Sequence, residues 1–468
     1  MDHLGFNAYE KSIHKEGPST VFMVRSDEGD ALIIQGKNPG FEGIPIQGDL
    51  FKAPLNHKNA EVLRKLFPFT APSRVLSKER SFGAGDRLGI ASVGHIRVFE
   101  KYDAYPILAQ QSIRELNLTN RTYEDVLDAA SFAVFREGFK KGWGADGDHL
   151  KTPEDIKYAL SLGFTMITLD CSEHIKNNIT NENAPALPSR LSEKYLNKTI
   201  DIGENVTLSF TEGELRIIAA IYSGAISFAA EMYNKFLKDG THAADFEISI
   251  DETSTPTTPL QHYFVARELI DAGVSFATMA PRFCGEFQKG IDYIGDIAQF
   301  EKEIKVHAVV ARHFKYKLSI HSGSDKFTVF PFIGKETKGI FHVKTAGTNW
   351  LEAMRVVAAS DPSLYREIHK FAVANFDEAR KFYHVSADIK RIADVDKLKD
   401  SELPELFNLD DSRQLIHITY GLILNKKNED GSYAFKDRLY KLWREKEDAY
   451  AKALMKHIGK HLDLLGVK

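Results

Sequence analysis

Cysteine is nearly absent: Cys171 and Cys284 are the two in 468 residues. Two thiols cannot build a disulfide framework or a thiolate metal site. Such scarcity fits a reducing compartment, so the cytoplasm is the expected location. An excess of positive charge is also missing. Against 61 Lys and Arg stand 65 Asp and Glu, for a formal charge of −4, which leaves no basic footprint for a nucleic-acid backbone or an anionic membrane surface. No nucleic acid and no membrane are therefore expected among its partners. The opening stretch MDHLGFNAYEKSIHKEG lacks the basic segment followed by an apolar one that marks an export signal. The longest apolar stretch, Ile217 to Tyr233, falls short of the roughly 20 residues that cross a bilayer and reads as a buried helix. Also lacking are a P-loop, a Gly-x-Ser-x-Gly elbow and a His-Glu-x-x-His pair. The string GAGDRLG, Gly83 to Gly89, has only a superficial likeness to a dinucleotide fingerprint. Its glycine spacing is off, and a charged stretch before it with a strand after it reverses the order that brings a pyrophosphate to a helix N-terminus.

What is present is a globular composition, 43% hydrophobic and 27% charged. Residues 1–80 hold many Gly and Pro and one helical pattern, Asn56 to Phe67, and read as an N-terminal extension or cap. From 81 to 468, β-branched and aromatic runs alternate with long amphipathic segments, the signature of βα units on a parallel sheet. Eight runs are expected as strands: Leu88 to His95, Trp143 to His149, Phe164 to Cys171, Asp245 to Glu252, Ser275 to Arg282, Tyr316 to Gly323, Ile340 to Thr345 and Gln414 to Gly421. Eight strands with crossover helices indicate an α/β fold, a (β/α)8 TIM-like barrel carrying the N-terminal extension and long inserted helices. A doubly wound open sheet is the alternative, since a strand count does not prove closure. The insertion between the third and fourth runs includes a helix from Glu212 to Leu237; it and the one before the last run are candidate lids or contacts in a homo-oligomer. A final helix, Phe435 to Leu462, is charged with one apolar stripe and is expected outside the barrel.

In such a barrel the reacting groups come from the C-terminal strand ends. Those ends carry Asp146, Asp148, His149, Asp170, Glu173, Asp251, Glu252, Arg282, His321, His342 and Lys344. His149, His321 and His342, from separate strands with carboxylates beside them, make an open site for Zn²⁺, Mn²⁺, Co²⁺ or Ni²⁺. Taken alone, each histidine reads more readily as an ordinary buried imidazole bonded to backbone; the three together point to a ligand set. Asp148 adjoins His149 and points to the other face unless the backbone turns, which the nearby Gly144 and Gly147 would allow. Alternation in DFEISIDE sends Phe246, Ile248, Ile250 and Glu252 to one side and Glu247, Ser249 and Asp251 to the other. Glu252 is thus a second acid/base candidate, or simply a charge ahead of the following helix. Lys344 would form a Schiff base if desolvated, giving a metal-free aldolase or isomerase, but reads better as a cation that binds substrate or neutralises neighbouring Asp. Arg282, Lys289 and Asp170 complete the substrate-binding candidates, with Arg282 and Lys289 suited to an anionic group.

The stretches WGADGDHLKT, FEISIDETSTPTTPLQHYFVARELIDAGVSFATMAPRFCGEFQKGIDYIGD, KLSIHSGSDKF and GIFHVKTAGTNWLEAMRV resemble the tagaturonate epimerase family of bacterial hexuronate catabolism. The resemblance implies a divalent-metal-dependent barrel enzyme that interconverts tagaturonate and fructuronate, with weak activity on the related ketohexoses, tagatose and fructose. It also implies Asp148 and Glu252 as the acid/base pair and His149, His321 and His342 as metal ligands. The two sugars differ at a carbon β to the ketone, whose C–H no carbonyl acidifies, so retro-aldol cleavage and recombination is the route expected. The partner is then a small sugar acid. A non-catalytic protein that binds such acids is the reading from another class.

Overall fold

The structure is a computed structural model that describes residues 2–468. Ahead of the barrel lies a five-stranded antiparallel sheet built around two long strands, Ser19–Ser26 and Gly29–Gly36. Alternation puts Val21, Met23, Leu32 and Ile34 on its buried face, where they meet Leu63 of the helix His57–Leu66 and Phe132 and Phe135 of the helix Tyr123–Glu137. Asn56 caps the first of these helices by accepting the Asn59 amide, a bond to an otherwise orphaned N–H.

Eight parallel strands close into a barrel of the (β/α)8 type. In chain order they are β1 (Arg80–Gly83), β2 (Tyr105–Ser112), β3 (Gly144–Leu150), β4 (Met166–Asp170), β5 (Asp245–Ile250), β6 (Thr278–Pro281), β7 (Lys317–Ile320) and β8 (Phe341–Lys344). Each pairs with its neighbour in sequence, and β8 returns to β1. Six strands fall in runs expected from the sequence; two do not. In the run Leu88 to His95, the Asp86 carboxylate accepts the amides of Leu88, Gly89 and Ala91. The chain turns there and enters a helix, α1 (Ser92–Phe99). The run Gln414 to Gly421 lies mostly in another, α3 (Asp410–Ile418). Their places in the barrel are taken by β1 and β2, whose sequences RSFG and YPILAQQS are short or rich in polar residues.

The GAGDRLG string therefore follows a strand and precedes a helix, reversing the order expected for it. Its loop amides are held by Asp86, a carboxylate where a pyrophosphate would have to sit.

The inserted helix α2 (Glu212–Phe236) opens with a Thr211–Glu214 capping box. Its length and apolarity would suit a membrane span by composition, but Leu215, Ile218, Tyr222, Ala225, Ala229 and Met232 are buried in the barrel's own core. C-terminal helices form a second core around Trp350, Tyr365 and Trp443. The expected single last helix is two, Lys436–Glu445 and α4 (Glu447–Leu464), interrupted at Lys446.

Candidate active site

Side chains that point into a parallel barrel stack in layers along its axis. On β8, His342 and Lys344 share the inward face two residues apart and so occupy successive layers. His342 belongs to the floor. Its Nδ1 lies 3.0 Å from Ser81 Oγ, which also accepts from Lys317 Nζ at 2.7 Å. Burial drives the His342 pKa down to about 3 and that of Lys317 to about 7.

The middle layer is an ion cluster. Lys344 Nζ pairs with Asp146 at 2.7 Å, with Glu247 at 3.3 Å and with Asp148, and it donates to Thr168 Oγ1 at 2.7 Å. Burial works against the ammonium, but Asp146, Asp148 and Glu247 together raise its pKa well above the ordinary value. A lysine so held is protonated and not nucleophilic, which counts against a Schiff base. Burial pushes Asp146 up to about 6, helped by Asp148 and Glu247 and opposed by Lys344. Asp148 is buried as well, yet Lys344 and His149 hold its carboxyl below the usual range.

At the mouth, His149, Asp251 and His321 bring one ligand atom each to within 4.8 Å of one another. His321 lies between two carboxylates, Nδ1 3.0 Å from Asp251 and Nε2 2.8 Å from Glu247. Burial disfavours its charge, but these two acids raise its pKa to about 10. His149 Nδ1 is 2.7 Å from Asp148 Oδ1, and Asp148 likewise raises the pKa of His149 against burial. Both neighbours reach the site because the backbone turns between them. The β3–β4 register shifts between Gly147 and Leu150, and His149 takes a left-handed φ of 55°, a conformation a residue with a Cβ adopts only when its surroundings enforce it.

His342 is not part of this cluster. The third ligand atom comes from Asp251, because His342 lies one layer below Lys344, at the barrel floor. Alternation in DFEISIDE separates Glu247 and Asp251 from Glu252 correctly, but β5 is buried on both faces, so polarity alone does not say which parity faces the axis.

A cavity of about 460 Å³ opens over the cluster, lined by Asp148, His149, Asp170, Glu252, Lys289, His321 and Lys344 among others. Glu252 lies exposed at its rim. Asp170 is buried at the end of β4 and pairs with Lys151 at 3.5 Å. Lys289 donates to Ser322 Oγ at 3.0 Å. Arg282 lines only an adjoining pocket of about 330 Å³ and donates to the Thr253 carbonyl, fixing the loop that carries Glu252. Arg114 and His417 also line the main cavity. Neither is among the site residues expected from the sequence: Arg114 follows the unrecognised strand β2, and His417 sits on α3, where a strand is expected.

The tagaturonate epimerase (UxaE) family matches residues 9–465. A protein of Thermotoga maritima named tagaturonate/fructuronate epimerase is 45% identical over 99% of this chain and 98% of its own. The native crystal structure of the fructuronate-tagaturonate epimerase UxaE from Cohnella laeviribosi has a TM-score of 0.96 at 48% identity, covering 99% of this chain and 97% of that one. Its complex with one glycerol gives the same figures. On a likeness that runs nearly from end to end, this chain belongs to the tagaturonate epimerase family and is an epimerase built on a closed eight-stranded barrel.

Proposed function

We propose that the protein interconverts tagaturonate and fructuronate by breaking and remaking a carbon–carbon bond in the cavity above β3, β5 and β7, with a divalent cation held by His149, Asp251 and His321. The observation that carries this is the convergence of those three ligand atoms beside Asp148 at the cavity base. The donor set fits such an ion: two imidazoles and a carboxylate meet where Asp146, Asp148, Glu247 and Asp251 outnumber the single ammonium of Lys344. A bound cation there supplies Lewis-acid stabilisation of negative charge developing on the ketone side.

The protein's own groups do the rest. Lys344 and His149 keep Asp148 ionised and fix its orientation. Its carboxylate accepts the proton of the β-hydroxyl as the adjacent carbon–carbon bond breaks, leaving the electron pair as an enediolate on the ketone fragment. The aldehyde fragment turns, the bond re-forms on its other face, and Glu252 at the opposite rim, acting in its acid form, donates a proton to the new alkoxide; exchange with solvent then takes the proton from Asp148 and replaces the one given up by Glu252. A cytoplasmic setting suits the two buried, unpaired cysteines.

The test is to strip the protein with chelator, restore Zn²⁺, Mn²⁺, Co²⁺ or Ni²⁺ singly, and follow both sugars by NMR in deuterated water. Activity should vanish and return with metal, and the inverted carbon should carry no solvent deuterium. Chelator-resistant turnover would remove the cation from the reading, and label at that carbon would remove the retro-aldol route.

A further inference from the structure

Four Lys and Arg side chains line the main cavity, and two are already neutralised. Lys344 is enclosed by three carboxylates, and Lys151 pairs with Glu173 at 3.1 Å and Asp170 at 3.5 Å. The others are Arg114 and Lys289, and both also line the adjoining pocket, so they stand where the two spaces meet. Among the described residues, neither has a carboxylate at ion-pair distance. Lys289 reaches only the Ser322 hydroxyl, and Arg114 stacks its guanidinium over Tyr383 at 5.1 Å. Glu115, next to Arg114 in sequence, is taken by buried Arg87 at 2.7 Å, while Glu252 acts on Arg114 through space without pairing.

Lys289 is half-buried and Arg114 exposed beside it, so an anion that enters between them meets two cations with no carboxylate already in place. Burial and then the charge of Arg114 both lower the pKa of Lys289. We propose that Arg114 and Lys289 form a clamp for the substrate's carboxylate and thereby set the preference for sugar acids over neutral sugars. This rests on the epimerase reading above. A guanidinium offers two parallel N–H donors to a carboxylate, and a lysine adds a compact charge beside it. Ser322, which holds Lys289, follows His321 directly, so the clamp lies beside the reacting centre. In the retro-aldol route the carboxylate belongs to the aldehyde fragment, and a hold on it keeps that fragment in place while it turns.

Isothermal titration of the full-length protein with D-galactonate and galactitol, a straight-chain sugar acid and its neutral counterpart, isolates the carboxylate's contribution. The acid should bind more tightly to the unaltered protein. Arg114→Met and Lys289→Met should each weaken the acid by about 10- to 100-fold, as expected for a lost charge-assisted contact, and leave galactitol within about threefold. Lys289→Arg should recover part of the loss, and with tagaturonate the change should appear in KM more than in kcat. The clamp is overturned if acid and polyol bind the unaltered protein equally, if both ligands weaken together in the variants, or if the acid is unaffected. Turnover of tagaturonate by the unaltered protein judges the epimerase reading separately.

Discussion

His321 and His342 both turn their imidazoles toward the barrel axis, but they differ in depth, and depth decides what each can do. His342 lies against Ser81 and Lys317 at the floor, where burial leaves it neutral at ordinary pH. His321 faces Asp251 and Glu247 at the mouth, within reach of His149. Removal of a ligand at the mouth should therefore differ from removal at the floor. His149→Ala and Asp251→Asn should each weaken binding of a divalent ion by more than about 100-fold, and His342→Asn should stay within about 10-fold, short of the roughly 10- to 100-fold that loss of an outer partner bonded to a ligand costs. Equilibrium dialysis against Zn²⁺ or Mn²⁺ measures both. An equal loss in His342→Asn would return the ligand role to the floor histidine. The sequence makes the face of a strand residue legible through its period of two, and the strand ends expected from it bring Asp148, His149, Asp170, Glu252, His321 and Lys344 into the lining of one cavity. It does not encode depth along the axis, which is set by register, so Asp251 stands in the cluster where His342 was expected.

Among the elements, the loop that carries Lys289 is secured from below by one buried lysine. Lys326 Nζ donates to the carbonyls of Gln288 at 2.8 Å, Ile291 at 2.6 Å and Ser324 at 2.8 Å. Lys326→Met would leave those carbonyls buried without a donor, at roughly 1–3 kcal/mol for each that cannot find water. The variant should unfold at lower denaturant concentration and lose affinity for sugar acids, readable by urea titration and by KM; an unchanged midpoint would show that the loop is held by other contacts. Such anchoring is invisible in the sequence because the three acceptors are backbone atoms. The two misplaced strands have a related cause. Leu88 to His95 and Gln414 to Gly421 are short apolar runs buried between layers, and periodicity does not separate a buried strand from a buried helical turn at that length. Arg80–Gly83 and Tyr105–Ser112 do not read as strands because, facing a polar interior, they carry Ser81, Gln110 and Gln111 where a core strand would carry aliphatics.

At the scale of the whole molecule, the N-terminal sheet, the barrel's helical coat and the C-terminal helices meet at Glu447. This residue opens α4 and accepts from Arg136 at 2.5 Å, on the helix Tyr123–Glu137, and from Arg25 at 2.8 Å, on the long sheet strand. Arg444 extends the junction to Asp30 at 2.9 Å. Burial raises the Glu447 pKa, but the two arginines outweigh it and hold the carboxyl below its ordinary value. The sign of the pH effect follows. With its folded pKa below the unfolded one, Glu447 binds fewer protons in the folded state, so its contribution is complete above the unfolded value of about 4.3 and is lost as pH falls through the folded one. Glu447→Gln removes that titration. The variant should be less stable at neutral pH by about 1 kcal/mol or more, as expected for a lost charge-assisted bond, but its Tm should fall less than the parent's on acidification from about pH 7 to about pH 4. Parallel scanning calorimetry gives both slopes. Equal slopes would mean that acid opens the molecule elsewhere, with the junction between sheet and barrel indifferent to this carboxylate.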